Sequence, residues 1–210
     1  MPAPLRFLFD FVSPYSYLAW TQIHRLAERN GREVEPVPIV LGAVLKARNA
    51  KGPAEVPHRR VYAARDLARL AHVYGVPLVP PPVHPFNSLL PLRVASLPAP
   101  PAVRRALIDA LFASTWVTGE GTTDRAVVAR AADAAGLGDE ALAEAETDAG
   151  KLRLRQQTDE ALAAGVFGVP TLFADGEMFF GNESLPHLER FLRGEQPPLP
   201  DDLVEWGSKL

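Results

Sequence analysis

The chain has 210 residues, of which 47% are hydrophobic, and a formal net charge of −3; that is enough for a sizeable core, in one large domain or in a small domain with an insertion. The charge gives no support to a nucleic-acid or anionic-membrane partner. The sequence has no cysteine, which excludes disulfides, thiolate metal sites and a thiol nucleophile borne by the protein.

No apolar run approaches the length of a membrane span. Asp10 interrupts the first apolar stretch too early for a signal peptide, so a soluble, cytoplasmic protein is expected.

Leu5 to Val12 is short and rich in large apolar residues, the pattern of a strand buried on both faces. Ser13 is placed to cap a helix, with Pro14 at the first helical position, where its missing N–H costs nothing. Tyr17, Leu18, Ile23, Leu26 and Ala27 recur at helical spacing, which predicts a helix from Pro14 to about Asn30 that packs one face on a sheet. Ser13 then lies beside free backbone N–H groups and the positive end of a helix dipole. From these residues alone its plain role is that of a helix cap.

Asn30-Gly31 is a helix stop, and Glu33 to Val40 reads as a second strand. Pro36 and Pro38 each remove a ladder donor and so predict an edge position. The segment 42–60 is polar and punctuated by prolines, a solvated connector by composition. Val61 to Tyr74 predicts a helix stopped by Gly75. The five histidines are scattered without metal-ligand spacing, so no metal site is expected. Val76 to Pro101 is proline-dense, yet Phe86, Leu89, Leu90 and Leu92 make it too apolar for a free spacer. Pro91 would have to lie in the first turn of the helix that follows.

Helices are predicted over Ala102–Ala113, Asp124–Ala135, Asp139–Ala149 and Lys151–Ala164. Phe112 and Trp116 at that spacing read as core before ligand platform. Thr171 to Ala174 is a short strand, Asp175-Gly176 a hairpin turn and Met178 to Phe180 the return strand. Asn182 or Ser184 is expected to cap a last helix ending near Leu192. In the proline-rich tail, Trp206 either packs back on the body or marks an interface. Helices between two β-containing ends imply a helical insertion in one α/β unit, divided as 1–44 and 165–210 around 45–164.

Two blocks, FDFVSPYSYLA and GVFGVPTLF, resemble the thioredoxin-fold family of 2-hydroxychromene-2-carboxylate isomerases and kappa-class glutathione transferases. The layout is similar to that of periplasmic disulfide oxidoreductases, but Ser13-Pro14-Tyr15-Ser16 stands where those carry Cys-x-x-Cys. The resemblance implies an α/β thioredoxin-like domain with an all-helical insertion, glutathione as cofactor, a small-molecule substrate and a homodimer. It also implies a cis Val169-Pro170 bond, which sequence alone would read as trans because only about 5% of X–Pro bonds are cis.

On that resemblance, Ser13 stabilises the glutathione thiolate, while Tyr15, Asn49, Val169, Pro170, Asn182 and Glu183 bind the tripeptide. Arg59 and Arg93 would meet a substrate carboxylate. A free thiol has a pKa near ~8.5 and is only a few per cent thiolate at neutral pH, so a hydroxyl at a helix N-terminus has a chemical purpose. The thiolate would add to a conjugated double bond, allow rotation and leave; a transferase would keep the sulfur on its product. The family's Gly-Gln-Asp-Arg-Leu corner is here Gly181-Asn182-Glu183-Ser184-Leu185, without the arginine. A non-catalytic thioredoxin-like binding protein stays open, whereas disulfide exchange lacks any thiol.

Overall fold

Alternation along one strand decides how the chain packs. Leu5–Phe9 forms β1, in the computed structural model, which describes residues 2–138, 140–197 and 200–209. Leu5, Phe7 and Phe9 enter one core with Tyr17, Leu18, Trp20 and Ile23 of α1 (Pro14–Arg29). Leu8 points the other way, into a smaller core with Val37, Ile39, Ala161, Val166 and Val169. A strand covered on both faces belongs inside a sheet. The order is β2-β1-β3-β4, with β2 (Val34–Pro38) parallel to β1, and β3 (Thr171–Ala174) and β4 (Glu177–Phe180) joined antiparallel. The two-proline strand β2 is at an edge, as its missing donors require.

β1 ends at Phe9, not at Val12. The Asp10 carboxylate accepts the Val12 N–H at 3.0 Å and the Leu41 N–H at 2.9 Å, which diverts the backbone from the ladder. The segment expected as a connector contains α2 (Leu41–Ala47), a 3-10 turn at Pro53–Glu55 and the start of α3 (Pro57–Tyr74). Pro57 occupies the first turn of α3, where a proline begins a helix as readily as it ends one.

The helical part continues through α4 (Leu89–Ala95), α5 (Pro101–Trp116), α6 (Arg125–Ala134), α7 (Glu140–Glu146) and α8 (Asp148–Ala163). Pro91 lies in the first turn of α4, as required. The break between α7 and α8 falls at Thr147, whose hydroxyl accepts the Gly150 N–H at 3.1 Å, instead of at Gly150 itself. A Cβ on Gly150 would lie 2.6 Å from the Glu144 carbonyl, so this glycine serves the close approach of α8 to the end of α7 and not a stop. Asp139, the expected start of that stretch, lies outside the described residues.

Phe112 of α5 joins the helical part to the sheet. Its ring meets Phe9 at 5.6 Å, Phe11 at 4.8 Å and Tyr17 at 6.0 Å between centroids. Both halves therefore share one core. Neither Asn182 nor Ser184 caps α9 (Leu185–Leu192) through its side chain: Asn182 bonds Tyr15, and Ser184 donates to the Gly181 carbonyl. Trp206 is on α10 (Asp201–Ser208) and is 61% exposed, so it does not pack back on the body. Among the described residues, no helix is long and apolar enough to cross a membrane.

Candidate active site

Ser13 has extended backbone (φ −94°, ψ 113°), and its Oγ accepts the Ser16 N–H at 3.2 Å. A serine hydroxyl accepts and donates at once. Among the described residues, the Ser13 hydroxyl hydrogen has no acceptor, although the residue is only 6% exposed. An uncommitted donor thus sits at the positive end of a 16-residue helix.

Below it, Asp10 is 1% exposed and receives the Val12 and Leu41 N–H groups and the Ser88 side chain. Burial pushes its carboxyl above the ordinary 3.8, against the opposite pull of those hydrogen bonds. One carboxyl so ties the Ser13 loop to the starts of α2 and α4.

Ser13 opens on a cleft of about 1960 Å³. Tyr15, Val169, Pro170, Asn182 and Glu183 line the same cleft. The Val169-Pro170 bond is cis, and Val169 precedes both ladders, whose registers begin at Thr171. Asn182 is 2% exposed; its Nδ2 donates to the Tyr15 carbonyl at 2.9 Å, and its Oδ1 has no partner. Gly181 has φ +82°, and a Cβ there would lie 2.6 Å from Glu183 Oε2, so the corner needs glycine for Glu183 to fold over it. The Tyr15 hydroxyl donates to Asp66 on α3 at 3.0 Å, and burial, then that carboxylate, raises the phenol's pKa. Tyr15 is therefore a neutral brace between α1 and α3.

Of the two arginines expected at the substrate, Arg59 lines the cleft and Arg93 does not. Arg93 is one turn beyond Leu89, the residue of α4 that reaches the cavity. Asn49 is also outside the lining. It has φ +51° at the end of α2, where its N–H bonds the Lys46 carbonyl while the Ala50 N–H bonds the Leu45 carbonyl. That is a left-handed helix terminus, a position asparagine tolerates.

Sequence reasoning missed Asp10, Asp66 and His84. The signal for Asp10 was a lone carboxylate inside an apolar strand pattern. His84 has no such signal, because only tertiary structure brings it beside Val12. Among the described residues, no group of three or more His, Asp or Glu is arranged to hold a metal.

A family model described as DSBA-like thioredoxin domain matches residues 5–193. The 2-hydroxychromene-2-carboxylate isomerase of Sphingobium xenophagum is 34% identical, over 91% of this chain and 99% of that protein. The glutathione S-transferase kappa 1 of Rattus norvegicus is 28% identical over 96% and 97% of the two chains. A solved structure of a 2-hydroxychromene-2-carboxylate isomerase superposes with a TM-score of 0.84 at 30% identity, covering 90% of this chain and 94% of that one.

Proposed function

The chain belongs to the DSBA-like thioredoxin domain family together with the 2-hydroxychromene-2-carboxylate isomerases, and we propose that it is a glutathione-dependent isomerase of a conjugated aromatic acid. The observation that carries this is the uncommitted Ser13 hydroxyl at the start of α1, in one cleft with the cis Val169-Pro170 corner. When bound, glutathione supplies a thiolate that adds reversibly to a conjugated double bond.

The chain's own residues would do the rest. Ser13 donates to the sulfur, with its other face held by the Ser16 N–H. Val169, free of both ladders, offers its backbone to the tripeptide as to an added strand. Asn182 and Glu183 suit the γ-glutamyl ammonium, one by an unpartnered carbonyl oxygen and the other by charge. Arg59 is one of several cations that line the cleft and would meet a carboxylate, of the tripeptide or of the second substrate. The likeness to kappa-class transferases keeps a second outcome of the same thiolate in view, in which sulfur remains on the product.

The same reading carries a cytoplasmic homodimer acting in aromatic catabolism. For the dimer, the support is the exposed Met178 and Phe180 of edge strand β4, next to Phe167, a patch that reaches the rim of the cleft.

The test is a pH titration of glutathione absorbance near ~240 nm in wild type and Ser13→Ala, in which the bound thiol should ionise one or more units lower with serine present. An equal thiol pKa in both proteins returns Ser13 to a helix cap and leaves a binding protein.

A further inference from the structure

His84 comes from the helical part of the chain but stands against the Ser13 loop. Its Nε2 is 2.9 Å from the Val12 carbonyl, the oxygen of the peptide bond that leads into Ser13. A carbonyl only accepts, so Nε2 carries the proton and donates. That fixes the tautomer of the neutral ring and leaves Nδ1 as a lone-pair acceptor. Among the described residues, Nδ1 has no partner, and the residue is exposed in the cleft.

Two further rings hold this imidazole. Trp116 meets it edge to face at 5.5 Å and is itself fixed by its indole N–H, which donates to the Phe11 carbonyl at 2.9 Å. Phe86 lies 6.4 Å from it between centroids, and all three residues line the cleft that holds Ser13. Consecutive carbonyls of the Ser13 loop, Phe11 and Val12, are thus each bonded by a ring N–H from the helical part. The result is a stretch of cleft lining in which one free acceptor stands among aromatic rings, a combination suited to orienting a planar ligand.

We propose that His84 determines specificity for the second substrate: Phe86 packs against a planar conjugated acid, the buried Trp116 holds the imidazole in place, and Nδ1 of His84 accepts a hydrogen bond from a hydroxyl on the ring of that acid. This deepens the isomerase reading and rests on it for the identity of the reaction. A hydroxyl is singled out because the anchored tautomer presents a lone pair, which a carboxylate or a carbonyl cannot use. A site built to bond a hydroxyl discriminates against the analogue that lacks it, because its own acceptor is then left unpaired.

Two substitutions separate this role from simple anchoring. His84→Gln retains an N–H at the Nε2 position for the Val12 carbonyl and removes the group at Nδ1. His84→Asn does the reverse. Equilibrium dialysis without glutathione, so that no turnover occurs, would measure binding of 2-hydroxychromene-2-carboxylate and of chromene-2-carboxylate to wild type and both variants, with glutathione thiolate absorbance read on separate samples without the acids.

The expected result is that His84→Gln weakens the hydroxylated acid by about 10-fold, the range of one hydrogen bond, while the analogue and the thiolate signal stay at wild-type level. In turnover of the hydroxylated acid the loss appears in KM, and His84→Asn recovers part of it. Equal binding of the two acids by wild type, equal weakening of both in His84→Gln, or no change in either, overturns the proposal. A wild-type protein that forms no glutathione thiolate but keeps the hydroxyl preference through His84 instead overturns the isomerase reading and leaves this one standing.

Discussion

Asn182 donates from Nδ2 to the carbonyl of Tyr15 across 2.9 Å, joining the corner after β4 to the first turn of α1 over 167 positions of sequence. This bond ties the Glu183 corner to the Ser13 end of the cleft, and Tyr15 in turn braces α3 through Asp66.

Asn182→Ala should therefore cost about 1 kcal/mol of unfolding free energy, the ordinary worth of a buried neutral hydrogen bond, and weaken glutathione binding. Asn182→Asp should cost more than alanine, since a carboxylate would face the Tyr15 carbonyl oxygen. Urea unfolding and calorimetric titration with glutathione check both. An aspartate as stable as wild type would show that the bond does not hold the corner.

Asp10 gives a pH signature. Its carboxyl is raised above 3.8 in the folded protein by burial, so between 3.8 and the folded value the native state holds a proton that the unfolded chain has lost. The stability contributed by the protonated form is fully present below 3.8 and declines as pH rises through that window, at about 1.4 kcal/mol per pH unit for one proton. Asp10→Asn removes this slope. Unfolding free energies of the two proteins, compared from pH 3.5 upward (roughly the start of the window), should diverge in favour of the variant as pH rises, whatever constant offset the lost acceptor causes.

His24 should act in the opposite sense. Burial, then the nearby Arg105 charge, lowers its pKa from 6.5 to about 4. The unfolded chain takes up a proton below 6.5 that the folded ring refuses until about 4, so stability present above 6.5 is lost as pH falls toward 4. Proton NMR of the imidazole should show no titration of His24 near neutral pH. His24→Gln should flatten the loss of stability between pH 6.5 and 4.

Phe112→Ala should be the most damaging of these changes, at about 3–5 kcal/mol, because a large ring is deleted where the surrounding rings cannot close the gap. Phe112 touches Phe9, Phe11 and Tyr17, so helical and sheet-containing parts should lose stability together. A single urea transition, shifted but not split, is the expected result. Two separated transitions would show that the halves fold as independent units.

Much of the fold is legible in the residues themselves. The two-sided burial of β1 follows from its predominantly apolar residues, with Arg6 alone interrupting them, and the edge position of β2 from Pro36 and Pro38, because both are local consequences of side-chain type. Ser13 as the cap of α1 was equally local, since cap and first turn are three residues apart. The family blocks around Ser13 and Pro170 pointed to a cis bond that composition could not have shown.

What composition and spacing could not supply is every contact that joins distant segments. Asn49 and Arg93 carry suitable groups, but a left-handed helix end claims the first and one extra helical turn takes the second past the cleft. Conversely, Asp10, Asp66 and His84 acquire their roles from partners 31, 51 and 72 positions away. The strands, the first cap and the chemistry available at Ser13 follow from neighbours along the chain and can be read from residue order. Which side chains surround that hydroxyl depends on how distant segments pack, because helix ends and ring contacts, not spacing, bring them there.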